Sequence, residues 1–134
     1  MDTLTHEQRS ERMSLVRSKD TKPELAVCRL VSSLRYRYRK HVRALPGAPD
    51  LVFTGRRKVI FVHGCFWHRH ACVLGRMPKS REEFWRPKLE GNRVRDRRTV
   101  RQLRDEGWCV LVIWECQTAN LDRLARRVRK FLDA

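Results

Sequence analysis

Lys58-Val59-Ile60-Phe61-Val62 runs without a break into His63-Gly64-Cys65-Phe66-Trp67-His68-Arg69-His70-Ala71-Cys72. A nearly continuous apolar run suits a central strand covered on both faces, so the chain is expected to build a sheet with helices packed against it. The loop that this strand delivers is the part of the sequence richest in chemistry. Its three imidazoles and two thiols are the ligand types that suit Zn²⁺. Cys65 and Cys72 are spaced like the ends of one closed zinc loop, and His68 or His70 can supply a ligand between them. A tetrahedral site needs a fourth. Cys116 is the best candidate, since it follows the apolar run Trp108 to Trp114 and so stands at the end of a predicted strand. Cys28, inside a predicted helix, and Cys109, inside that run, read instead as buried apolar cysteines. The plainer alternative is a set of scattered core cysteines beside a histidine-rich surface loop, and the ligand spacing favours the metal. Phe66 and Trp67 either pack on the core beside the metal or protrude to meet a flat partner. Aromatic burial favours packing.

Upstream of this strand, Pro46-Gly47-Ala48-Pro49 signals a turn, and Asp50-Leu51-Val52-Phe53 reads as a strand that opens on a carboxylate. Gly55-Arg56-Arg57 then turns the chain back, which makes the two strands a hairpin. Earlier still, Thr21-Lys22-Pro23-Glu24 has the form of a capping box, and Leu25, Cys28, Val31 and Leu34 follow at helical spacing. The alternation in Arg35 to Lys40 fits either a basic helix end or a first strand running toward Leu45. Residues 1 to 19 carry only a few apolar positions, among them Met13, Leu15 and Val16, and are expected to order on the domain or on a ligand.

Downstream, Ser80-Arg81-Glu82-Glu83 suggests a second capping box, while Pro87 and Gly91 are expected to interrupt the helix before it resumes from Asn92 to Glu106. Gly107 suits its C-terminal cap. Trp108 to Trp114 is a third apolar strand, and Leu121, Leu124, Val128 and Phe131 mark a last amphipathic helix. The order of elements predicts one α/β domain over residues 1 to 134, with a small mixed central sheet flanked by helices.

The chain has 31 Lys and Arg against 15 Asp and Glu, a net charge of +16. Such a field points to a polyanion, most often nucleic acid. No apolar stretch reaches the roughly 18 residues of a membrane span and the N-terminus has no signal-peptide pattern, so a soluble, cytoplasmic monomer is expected. Five cysteines, an odd number at ligand spacing, fit a reducing compartment better than a disulfide framework. A carboxylate opening a hairpin strand, a helical Glu24 upstream and a positive field together suit a hard cation held against a phosphodiester.

Pro49-Asp50, the strand into His63-Gly64-Cys65-Phe66-Trp67-His68, Cys72, Phe84-Trp85, Asn92 and Trp114-Glu115-Cys116 resemble the very short patch repair (Vsr) DNA mismatch endonuclease family, from about Arg9 to Cys116. The resemblance implies a restriction-endonuclease-like fold with a structural zinc. It implies Mg²⁺-dependent nicking of one strand of double-stranded DNA, 5′ to the thymine of a T:G mismatch left by deaminated 5-methylcytosine. Asp50 is then the Mg²⁺-binding carboxylate, His68 the general acid/base, and His63 and Glu24 supporting groups. The zinc ligands it implies are Cys65, His70, Cys72 and Cys116. Phe66, Trp67 and Trp85 match aromatics that wedge into the DNA stack, Met13 matches a residue entering from the opposite groove, and Lys88 and Asn92 match contacts to bases or backbone. One position departs from the family pattern. Val62 stands where a hydroxyl residue is expected, although its backbone carbonyl can still ligate Mg²⁺. A zinc-stapled nucleic-acid-binding module without catalysis accounts for the same charge and loop, and differs in having no use for Asp50 and His68.

Overall fold

The computed structural model describes residues 20–68, 70–77 and 80–134, so the N-terminal segment with Met13 lies outside the described residues. Helix α1 (Lys22–Ser33) starts where the sequence predicts: Thr21 is its N-cap and accepts from the Glu24 amide at 3.4 Å. Glu24 does not close the box on Thr21. Its Oε2 accepts from the Asp20 amide at 2.9 Å, which leaves the other carboxylate oxygen for the interior. Strand β1 is only Arg39–Lys40, because His41 takes a left-handed conformation (φ 53°) that ends the extended run.

Strands β2 (Leu51–Phe53) and β3 (Lys58–His63) form the expected antiparallel hairpin, and β3 pairs in parallel with β4 (Cys109–Trp114). The sheet order β1-β2-β3-β4 puts β3 inside and β4 at an edge. Alternation along β2 and β3 feeds two cores. Leu51, Phe53 and Ile60 pack with Val27 and Val31 of α1 and with Leu124, Val128 and Leu132 of α3 (Leu121–Asp133). Val52, Val59 and Phe61 face the other way, onto Leu103 of α2 (Glu82–Asp105). By the same alternation Asp50, two residues before Val52, and His63, two after Phe61, project on the α2 side. Strand order therefore decides which helix completes the site. Lys58, buried in β3, donates to the Phe131, Leu132 and Ala134 carbonyls at 2.6, 3.2 and 2.8 Å, and so satisfies the end of α3 with a charge of the favourable sign.

Three expectations need correction. Helix α2 is one uninterrupted helix of 24 residues through Pro87 and Gly91. Burial of Trp85 and Leu89 on either side of Pro87 outweighs one lost backbone hydrogen bond and a glycine cost of about 1 kcal/mol. Its start is not a capping box either: Arg81 is the N-cap, in the left-handed region at φ 57° and with no side-chain cap. Finally, Cys109 is exposed while Cys28 is buried, because Cys109 opens the edge strand beside the Gly107 turn.

Candidate active site and metal cluster

Asp50, Val62, His63 and His68 line one cavity of about 300 Å³, and Glu24 does not. Gly47 shapes its rim. At φ 72° its Cα lies so close to Thr99 that a Cβ would sit 2.4 Å from that side chain, so the turn before Asp50 can press against α2 only with glycine there. Asp50 Oδ2 accepts from the Val62 amide at 2.7 Å. Burial pushes the Asp50 carboxyl up to about 7, against the lowering effect of that amide.

The two histidines are stacked, with ring centroids 3.9 Å apart and planes within 4°, but their surroundings separate their chemistry. Burial, reinforced by the neighbouring His68, pushes His63 down to about 3, and its Nδ1 is buried without a hydrogen-bond partner. His63 is thus neutral near pH 7. His68 instead has Nδ1 against Oδ2 of Asp96, on α2, so Asp96 engages Nδ1 and not Nε2. His63, His68 and Asp96 also have ligand atoms mutually within 4.8 Å.

Cys65, His70, Cys72 and Cys116 form a separate group whose ligand atoms all lie within 4.8 Å of one another. His70 Nδ1 is 3.7 Å from Cys65 Sγ and 3.5 Å from Cys116 Sγ. A tetrahedral ion with ordinary Zn–S and Zn–N bonds would hold such atoms about 3.6 Å apart, so the donor set and its spacing fit zinc. The Cys116 amide donates to Cys65 Sγ at 3.4 Å. Gly75 permits the return of the loop, since a Cβ there would lie 1.9 Å from the His70 carbonyl oxygen. His68 belongs to the cavity beside Asp50 and not to this group, so the two histidine positions that the sequence leaves open are separated in space.

Over residues 1–74 the chain matches the family described as DNA mismatch endonuclease Vsr. It is 52% identical over 132 residues to the type II nicking enzyme V.XorIIP of Xanthomonas oryzae pv. oryzae, covering 98% of this chain and 97% of that one. It is 40% identical over 116 residues to the DNA mismatch endonuclease Vsr of Escherichia coli, covering 87% of this chain and 74% of the relative. The type II nicking enzyme V.NmeAIP of Neisseria meningitidis is 39% identical over 137 residues, with 99% and 98% covered. This chain belongs to the Vsr DNA mismatch endonuclease family.

The aromatics of this Vsr-family chain form a third cluster, apart from both cores. Trp67, Trp85 and Leu89 are buried there, with Phe66, Phe84 and Met77 packed around them. Phe66 meets Trp67 edge-on at 5.1 Å and Trp85 at 5.3 Å, and Lys88 Nζ lies 5.6 to 5.8 Å from the centroids of Trp67, Phe84 and Trp85. In the free protein these rings bury one another, as the packing alternative expects. Asn92 is buried too: its Nδ2 donates to the Trp67 carbonyl at 3.1 Å and its Oδ1 accepts from Arg95 at 3.0 Å. It ties the loop to α2.

Two groups escape the sequence reading. Asp96 stands in a basic helix, and only the crossover of α2 over the sheet brings it to His68. His41 lies between two carboxylates, with Nε2 2.7 Å from Glu24 Oε1 but misaligned for a hydrogen bond, and Nδ1 3.9 Å from Asp50 Oδ1. Neither has a local motif. The one available signal was that each is an ionisable residue within a segment otherwise dominated by Arg and Lys.

Proposed function

We propose that this member of the Vsr family is a DNA mismatch endonuclease that nicks one strand 5′ to the thymine of a T:G mismatch, using Mg²⁺ for catalysis and zinc for structure. The mixed sheet, with Asp50 opening one hairpin strand and helices on both faces, is consistent with the restriction-endonuclease-like core that the resemblance implies. The observation that carries the reading is the meeting of Asp50, His63, His68 and Asp96 around one cavity. A module that only bound DNA would have no use for a buried carboxylate beside an oriented histidine.

Asp50 and the Val62 carbonyl are the groups for Mg²⁺, which would supply positive charge where the phosphoryl oxyanion develops. The high affinity of Asp50 for a proton marks a carboxylate short of positive charge, a need that a dication meets. His68 moves the proton at Nε2, and Asp96 fixes its tautomer and ring orientation through Nδ1. Neutral His63 backs the His68 ring, while Glu24 and His41 lie behind Asp50. Cys65, His70, Cys72 and Cys116 hold the loop against the end of β4, so His68 and the aromatics leave one rigid frame. Four protein ligands leave no open position, which makes the zinc structural. Phe66, Trp67 and Trp85 would open from their own cluster to stack on unstacked bases, with Met13 from the opposite groove and Lys88 and Asn92 beside them.

The deciding experiment is a strand-specific nicking assay on T:G and fully matched duplexes, with Mg²⁺ and with EDTA. Cleavage of the thymine strand alone, only on T:G and only with Mg²⁺, is expected. Binding without cleavage on any mismatch would instead favour the non-catalytic module.

A further inference from the structure

His63, His68 and Asp96 form a wall between two cavities. Beyond the catalytic one, a cleft of about 1110 Å³ opens between α2 and the sheet edge at Val112 and Trp114, with His70 and Cys72 at the loop end. Its α2 wall carries Arg93, Arg97, Arg101 and Arg104. Steps of four, four and three residues put all four on one stripe of the helix. Arg76 adds a fifth guanidinium from the loop. Among the described residues the only carboxylates on the wall are Asp96, already held by His68, and Asp105. Among the described residues none of the five arginines is paired with a carboxylate. Like charges at these spacings destabilise a helix, so the stripe gives the isolated chain nothing and is favourable only against an anion.

Shape selects the anion. Duplex grooves are read by convex elements that enter them, whereas this surface is concave. Its volume is slightly above that of pockets that enclose one small-molecule ligand, roughly 300–1,000 Å³, which suits a few nucleotides of one strand and not a duplex. Sites for single strands combine a basic groove along the backbone with an aromatic face for a base. Trp114 supplies the aromatic here, fixed by stacking on His70 with centroids 4.2 Å apart. We propose that the cleft binds a short run of single-stranded DNA, the end of the nicked strand that frays beside the cut. This rests on the nuclease reading, because His68 borders both cavities and a strand whose phosphate lies at Asp50 would continue over it into the cleft. The nicked end would then stay on the enzyme after cleavage until another protein or strand displaces it.

The test compares the full chain with Arg101→Glu/Arg104→Glu and with Arg126→Glu/Arg129→Glu. The second pair carries the same charge reversal onto α3, and all four side chains are exposed, so folding is preserved and thermal melts verify it. The probe is a fluorescein-labelled oligothymidylate of about twelve nucleotides, followed by anisotropy across a salt series. The cleft pair should lose affinity by on the order of tenfold or more and flatten the salt dependence, while the α3 pair loses several-fold less. Equal losses in the two pairs, or none in the cleft pair, would overturn the proposal. So would competition by an acidic peptide as effective as unlabelled oligothymidylate. No cleavage enters this measurement, so it stays readable if the T:G assay fails, and its failure leaves that assay untouched.

Discussion

Asp50 and His63 are displaced in opposite directions by one cause, since burial penalises whichever form is charged. For Asp50 the folded pKa is about 7 against an ordinary carboxylate value of 3.8. Between roughly pH 4 and 7 the folded chain keeps a proton that the unfolded chain has lost, so this group lowers stability as pH rises through that window, with no further loss above it. Asp50→Asn should therefore raise the stability of the Mg²⁺-free protein at pH 7.5 by on the order of 2–4 kcal/mol, with little gain at pH 4, in denaturant melts run without added Mg²⁺. The same variant should abolish nicking and still bind DNA. An Asp50→Asn protein that is no more stable than wild type at pH 7.5 would mean that the carboxylate is already ionised and compensated. His63 gives the opposite sign. Its folded pKa of about 3 lies below the ordinary imidazole value of 6.5, so its contribution is lost as pH falls from about 6.5 toward 3. At Asp96 the effect is on rate. Asp96→Asn removes the anion that orients His68, and single-turnover nicking should fall by about 10–100-fold, part of the 10²–10⁴ that general acid–base catalysis supplies. T:G affinity should change little, and a matching loss of affinity would make Asp96 a DNA-binding or folding residue instead.

The loop between β3 and α2 carries most of the chemistry, and its form depends on Cys116, 44 positions beyond Cys72. Cys116→Ser should release the metal, as elemental analysis would read, and lower the melting temperature together with nicking, because a structural site joins folding to binding. Wild-type protein that is folded and holds no zinc would remove the assignment. The aromatic cluster needs a more careful choice of variant. Trp67 is 8% exposed, so truncating it to Ala would cost about 3–5 kcal/mol of stability and obscure any effect on DNA. Phe66, half-buried at the rim, is the better probe. Phe66→Ala should weaken T:G binding by roughly ten- to a hundredfold, one stacked base being worth about 1–3 kcal/mol, and leave matched duplex nearly unchanged in fluorescence titration. Equal losses on both duplexes would return Phe66 to the role of packing. At this scale the sequence was informative wherever a pattern is local. The Thr21 cap, the hairpin around Gly55 and the cysteine and histidine spacing all depend on near neighbours. Asp96 and His41 depend on how α2 and β1 lie against the sheet, which no local pattern encodes. Pro87 misled because its cost is local while the burial of Trp85 and Leu89 that offsets it is tertiary.

On the proposed function the whole molecule would combine a long-range field with a short-range selector, and the two would respond differently to salt. A charge of +16 draws in any duplex by releasing counterions, so affinity for matched DNA should fall steeply as salt rises, with log K falling by about 0.9 per phosphate contact for each tenfold increase in salt. That attraction cannot select a mismatch. On the proposed function selection would come from deformation, since a mispaired step costs less to unstack and inserted aromatics would recover part of the cost through stacking. Stacking involves no net charge and releases no counterions. The affinity for T:G and for matched duplex should consequently fall in parallel between about 50 and 200 mM salt, losing several orders of magnitude if six or more phosphates are contacted, while their ratio stays nearly constant. Parallel titrations on duplexes differing only in the mismatched base would measure both. A ratio that collapses at high salt would mean that extra phosphate contacts made only on the mismatched duplex, and not the aromatic cluster, carry the discrimination.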